Sequence, residues 1–140
     1  QLDQLRYVSR PYIFTASPTP STIASTRAAL KLLHDGIELR QQLWKNVHQL
    51  YSRLHELGYQ LGPEPSPVVA ILLNTPQQAL MLWKGLLEHG IYVNLILPPA
   101  APDGKSLVRC SVSSVHTSEQ MDYVGQSFAE LRDGIFPIAS

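Results

Sequence analysis

The chain has 140 residues, 44% of them hydrophobic, with 11 acidic and 11 basic side chains. That is enough for one globular domain with a core of its own, and the lack of a basic stripe argues against nucleic acid or an anionic membrane surface as a partner. The longest apolar runs, such as residues 68–73, are far too short to span a bilayer.

The chain opens on Gln1-Leu2-Asp3, with no initiator methionine and no basic-then-apolar leader, and reaches Pro11 almost at once. Those features lead us to expect an excised or processed piece. Tyr12, Ile13 and Phe14 read as a short strand or extended arm. Thr15, Ala16 and Ser17 then fall in a Pro-punctuated loop ahead of a helix. Hydroxyls and free backbone N–H groups at such a place can bind a phosphate. The alternative, and the commoner use of such residues, is plain capping of the helix by Ser21 or Thr22.

Helical periodicity runs from residue 21 to about residue 57 in two pieces, with a bend at Gly36. The first, residues 23–34, is rich in Ala and Leu. The second carries Leu43, Trp44, Val47, Leu50, Tyr51 and Leu54 at spacings of three and four, a stripe wide enough to face a core, and Gly58 supplies its stop. Residues 62–67 hold too many prolines for regular structure. Residues 68–74 read as a buried strand, and Thr75-Pro76 as the N-cap and first position of a helix ending at Gly90. Residues 91–96 read as a second strand. A Pro-rich loop leads to a third, residues 106–113. Thr117 and Gln120 form a capping box that opens the last helix, with Met121, Val124, Phe128 and Leu131 on its buried stripe.

The pattern is an α+β fold, with long N-terminal helices followed by a small, mainly antiparallel sheet of three strands covered by helices on one face. Arg109 sits in the middle of the otherwise almost uncharged third strand. An unpaired buried charge is expensive, so Arg109 requires an anionic partner or a wet cleft. Cys110, the single cysteine, forbids an internal disulfide, points to a reducing setting, and reads as a small buried strand residue. His116 reads as a hydrogen-bonding residue, and the five histidines show no metal-binding spacing.

Two segments carry a family resemblance. Residues 10–17 (RPYIFTAS) resemble the end of the large domain of the α-oxoamine synthases. Residues 90–94 (GIYVN), 98–100 (PPA), 107–113 (LVRCSVS) and His116-Thr117 are similar to that family's C-terminal domain, in the wording of its serine palmitoyltransferase branch. The resemblance covers about residues 6–131. It implies the C-terminal part of a pyridoxal-phosphate enzyme of fold type I that condenses an amino acid with an acyl thioester and releases carbon dioxide. In that branch the substrates are serine and a long-chain acyl-CoA such as palmitoyl-CoA, and the product is 3-ketodihydrosphingosine. The resemblance implies that Arg109 binds the amino-acid carboxylate, and that Thr15 and Ser17 reach the cofactor phosphate of the neighbouring subunit in a homodimer. It further implies that residues 1–20 close the large cofactor domain, 21–58 connect, and 59–140 form the small domain. The enzyme it implies is cytoplasmic, at most peripheral to the inner membrane.

Leu97 stands where some members of the branch carry an arginine. The lysines are Lys31, Lys45, Lys84 and Lys105, and none lies in the small-residue turn from which the family's cofactor lysine comes. The expectation is therefore a chain inactive by itself, with no catalytic residue and no metal ligand of its own. The alternatives are another member of the family, such as 8-amino-7-oxononanoate synthase or 2-amino-3-ketobutyrate-CoA ligase, or a non-catalytic assembly module.

Overall fold

In the computed structural model, which describes residues 2–13, 16–101 and 104–136, the chain forms two units, residues 1–37 and 38–140. The first holds α1 (Leu2–Val8), α2 (Arg10–Ile13) and α3 (Pro20–Asp35). Tyr12 and Ile13 lie in the short helix α2 and not in a strand. The Tyr12 N–H donates to the Ser9 carbonyl at 3.0 Å, and Pro11 is tolerated because the first helical turn needs no N–H there. Phe14 lies outside the described residues.

The cap of α3 is Thr19, upstream of the expected Ser21 or Thr22. The Thr19 Oγ1 accepts the Thr22 N–H at 3.2 Å, and Pro20 takes the first helical position. Proline's fixed φ favours that position, which sets the cap one residue before it. No residue of α3 is buried, and Ile23, Leu30, Leu32 and Leu33 are each more than half exposed.

The second unit is built on a sheet of four strands in the order β1-β2-β4-β3, every neighbouring pair antiparallel. The strands are β1 (Gln60–Leu61), β2 (Val68–Leu73), β3 (Asn94–Ile96) and β4 (Ser106–Ser111). The sequence pattern accounts for three of them. β1 is two residues long and abuts the Pro-rich segment, too short to show alternation. β3 is also shorter than expected. The Ile91 N–H donates to the Leu86 carbonyl at 2.8 Å, and the Val93 carbonyl accepts the Trp83 indole N–H at 3.1 Å. Those groups serve the end of the preceding helix and so are withdrawn from the ladder.

Three helices cover one face of the sheet: α4 (Ile37–Glu56), α5 (Pro76–Glu88) and α6 (Ser118–Ile135). Val69, Ile71 and Leu73 of β2 and Val108 and Cys110 of β4 meet Val47, Leu50 and Leu54 of α4, Leu82 and Leu86 of α5, and Phe128 of α6 in one apolar cluster. Thr75 caps α5, and the Thr117–Gln120 box caps α6 with both of its reciprocal bonds formed. Gly85 lets α5 and α6 approach closely, since a Cβ there would meet the Leu131 side chain at 2.6 Å.

Among the described residues three polar side chains are buried in this packing, Asn46, Ser106 and Ser127, and Asn46 bridges separate elements. Asn46 is fully buried on α4, and its Nδ2 donates to the carbonyls of Ser113 at 3.0 Å and His116 at 2.8 Å. Its Oδ1 accepts from Gln42 at 2.9 Å. The side chain thus ties α4 to the connection between β4 and α6. Replacing Asn46→Leu keeps the volume but orphans two carbonyls, so urea denaturation should show a loss of about 2–4 kcal/mol.

His89 forms a second tie. Its Nδ1 lies 2.8 Å from the Gly85 carbonyl and its Nε2 3.3 Å from Glu130 of α6. The Gly85 carbonyl, with help from Glu130 and Glu88, raises the imidazole pKa above its ordinary value. A raised histidine pKa contributes stability that is complete below the unfolded-state pKa and fades as pH rises through the folded-state value. The stability difference between wild type and His89→Gln should therefore be larger at about pH 5.5 than at about pH 9, as read by chemical denaturation.

Candidate functional site

β4 is the central strand that carries Arg109, and its alternation decides where the guanidinium goes. Val108 and Cys110 point into the helix-covered core, with 0% and 6% exposure. Arg109 between them points to the other face and is exposed. Directly opposite Arg109 stand Ala70 on β2 and Asn94 on β3. Two residues further along, Leu72, Leu107 and Ile96 make an apolar shelf on the same face. In the other direction come Val68 and Ser111.

Arg109 makes no hydrogen bond or ion pair among the described residues. Among the described residues its solution to the charge problem is an open face, not a protein anion. Ala70 carries nothing beyond Cβ, which leaves the flank of the guanidinium unobstructed. A planar fork of N–H donors next to an apolar shelf suits a carboxylate borne on a small organic body. Leu97 is half-buried against the core, so position 97 brings no charge.

Ser17 belongs to the first unit. It is exposed in the segment 16–19, has no hydrogen-bond partner among the described residues, and lines an open depression of about 570 Å³ with Ser9, Pro11, Tyr12, Ala16 and Pro18. Thr15 lies outside the described residues.

The remaining candidates are structural. The His116 Nδ1 accepts the Ser113 N–H at 3.1 Å, and its own carbonyl is held by Asn46. Cys110 is buried, and desolvation pushes its thiol pKa up to about 12. Among the described residues no group of three or more His, Cys, Asp or Glu side chains is arranged to hold a metal. A cavity of about 390 Å³ between residues 90–93, the end of β4 and α6 is lined by Tyr92, Cys110, Val112, His116 and Tyr123 among others. Among the described residues no carboxylate, lysine or arginine lines it. The residue that strand patterning misses is Asn94. Its one local signal is polarity within an apolar strand, and its place beside Arg109 follows from strand register.

Residues 1–128 match the family profile of aminotransferase class I and II. The chain is 44% identical over 129 residues to a serine palmitoyltransferase of Caulobacter vibrioides, covering 92% of this chain and 32% of that protein. It is 31% identical over 127 residues to an 8-amino-7-oxononanoate synthase of Fervidobacterium nodosum, covering 91% of this chain and 32% of that protein. A solved serine palmitoyltransferase with pyridoxal phosphate superposes with a TM-score of 0.86 at 38% identity, over 98% of this chain and 35% of that one. The chain thus spans about a third of the length of the curated relatives it matches. The superposition agrees with the α+β fold type expected from the sequence, with one strand more.

Burial of Cys110 has a direct chemical consequence. An aromatic disulfide reagent at about pH 8 should leave the thiol unmodified in the folded chain and titrate it fully in denaturant. Fast modification of the folded chain would show that β4 is not packed as described.

Proposed function

Because the chain belongs to the aminotransferase class I and II family, we propose that it is the C-terminal portion of a pyridoxal-phosphate-dependent α-oxoamine synthase of the serine palmitoyltransferase type. The proposed reaction condenses serine with a long-chain acyl-CoA, palmitoyl-CoA, and releases carbon dioxide and CoA to give 3-ketodihydrosphingosine in sphingolipid biosynthesis. The carrying observation is Arg109, a guanidinium without a partner among the described residues, fixed in register on the open face of a sheet.

Arg109 would take the carboxylate of serine in a two-point grip and stay charged at any working pH. That grip fixes the rotation of the amino acid about its α-carbon, a positioning role. The apolar shelf of Leu72, Leu107 and Ile96 limits water on one side of the bound carboxylate. Pyridoxal phosphate, when bound, supplies the electron sink for the α-carbon.

For that cofactor the chain offers anion-binding groups but no amine set in a recess. Lys31, Lys45, Lys84 and Lys105 are all exposed, and Lys84 pairs with Glu88 at 3.8 Å. The residues present therefore fit the carboxylate end of the site, with Ser17 and Thr15 as the candidates for the cofactor phosphate of the neighbouring subunit. In this reading the amine that holds the aldehyde is supplied by the large domain, residues 1–20 close that domain, 21–58 connect, and 59–140 form the small domain. The chain by itself is inactive. The enzyme is a homodimer in the cytoplasm, a setting the unpaired, buried Cys110 suits.

A second reading is another α-oxoamine synthase, which the 31% identity to an 8-amino-7-oxononanoate synthase favours. Assaying serine, alanine and glycine against acyl-CoA thioesters of different length in the whole enzyme separates the two. Release of a long-chain 3-keto amine from serine alone is the expected result. Arg109→Ala should raise the serine concentration needed for half-saturation about 100-fold or more, with Arg109→Lys recovering little of it. Unchanged serine affinity in Arg109→Ala would overturn the assignment.

A further inference from the structure

We infer that Asn94 is the second donor of the carboxylate site, a specificity-determining residue that completes the grip of Arg109; this rests on the function proposed above. Of the two residues directly opposite Arg109 in the sheet, Ala70 brings no polar atom and Asn94 brings a carboxamide. Directly opposed residues project from the same face with Cβ atoms about 4.5–5.5 Å apart. A carboxylate seated on the guanidinium is therefore within reach of the Asn94 Nδ2. A carboxylate accepts about four hydrogen bonds, and the arginine fork satisfies two of them, which leaves positions for a neutral donor at the side.

Asn94 has the properties such a donor needs. It is half-buried, and its side chain makes no hydrogen bond among the described residues. Its backbone is anchored on both sides. The preceding carbonyl, of Val93, accepts the Trp83 indole N–H at 3.1 Å, and the following residue, Leu95, pairs with Val108 and packs on the core. A donor held that way needs little reorganisation when the anion arrives. Its neutrality also matters. An acidic residue at this position would pair with Arg109 itself and repel the ligand, whereas a carboxamide leaves the positive charge available.

The test uses the whole enzyme loaded with pyridoxal phosphate and follows the cofactor's absorbance as ligand is titrated. Serine is compared with ethanolamine, which keeps the amine and the hydroxyl and lacks the carboxylate. Asn94→Ala should weaken serine roughly 10- to 100-fold and leave ethanolamine unchanged. Asn94→Asp, equal in size and less exposed to folding failure, should weaken serine further and again spare ethanolamine. Equal losses for both ligands would make Asn94 a structural residue and overturn the inference. So would undiminished serine binding in Asn94→Ala while Arg109→Ala loses it. If Arg109→Ala keeps the preference for serine over ethanolamine, the carboxylate site itself fails, and the inference with it.

Discussion

The register of β4 is the constraint on which everything at the candidate site depends. Strand side chains alternate with a period of two, so a slip of one residue would exchange the faces completely. Arg109 would then enter a cluster in which Val108, Ile71 and Leu82 are fully buried, and Val108 and Cys110 would be driven into water. An unpaired guanidinium in that cluster is costly by several kcal/mol, and each large apolar side chain left outside forgoes about 2 kcal/mol of burial. The two penalties act together, so the apolar residues on either side of Arg109 fix where its charge points.

Strand pairing holds that register to the C-terminal end of β4, where Ser111 lies opposite Val68 and the Val112 N–H donates to the Pro67 carbonyl at 2.8 Å; beyond it the chain leaves the sheet for α6. Asn46 takes over from outside the strand. Its two hydrogen bonds to the Ser113 and His116 carbonyls hold the connection, and the His116 ring turns back to accept the Ser113 N–H. The capping box of Thr117 and Gln120 begins at the next residue. Three devices thus follow one another without a gap, and a buried polar residue is retained where an apolar one would pack as well but would leave two carbonyls without donors.

How much of this was legible in the sequence depends on how local each cause is. Thr75-Pro76 and the Thr117–Gln120 box are complete within four residues, and the structure places both as caps. The alternation of residues 106–111 is also local, so β4 and the outward face of Arg109 follow from it. The cap falls at Thr19 because Pro20 takes the first helical position, a cue as local as the hydroxyls of Ser21 and Thr22. Other features have distant causes. β3 loses its first residues because Leu86 and Trp83 take their backbone partners, and β1 exists because Leu72 and Ile71 lie opposite Gln60 and Leu61. Asn46 reads as a polar interruption of a helical stripe until the loop 67 residues downstream comes to meet it.

Arg109 and Asn94 differ in the same way. A charge in an apolar strand announces itself, because the sequence alone makes its burial implausible. A carboxamide in a strand does not, since it is neutral and tolerable on any half-exposed face. What gives Asn94 meaning is that the order β2-β4-β3 sets β4 between two partners, so that Arg109 has one neighbour on each side. One of these is Ala70, which leaves space, and the other is Asn94, which can donate. In the proposed site this asymmetry across the strand would give a direction: an anion at Arg109 would find room on the β2 side and a hydrogen-bond donor on the β3 side. A lone guanidinium binds any small anion, but a guanidinium with a fixed donor on one flank orients the carboxylate's plane, and orientation at the α-carbon is what the proposed reaction requires of this part of the protein.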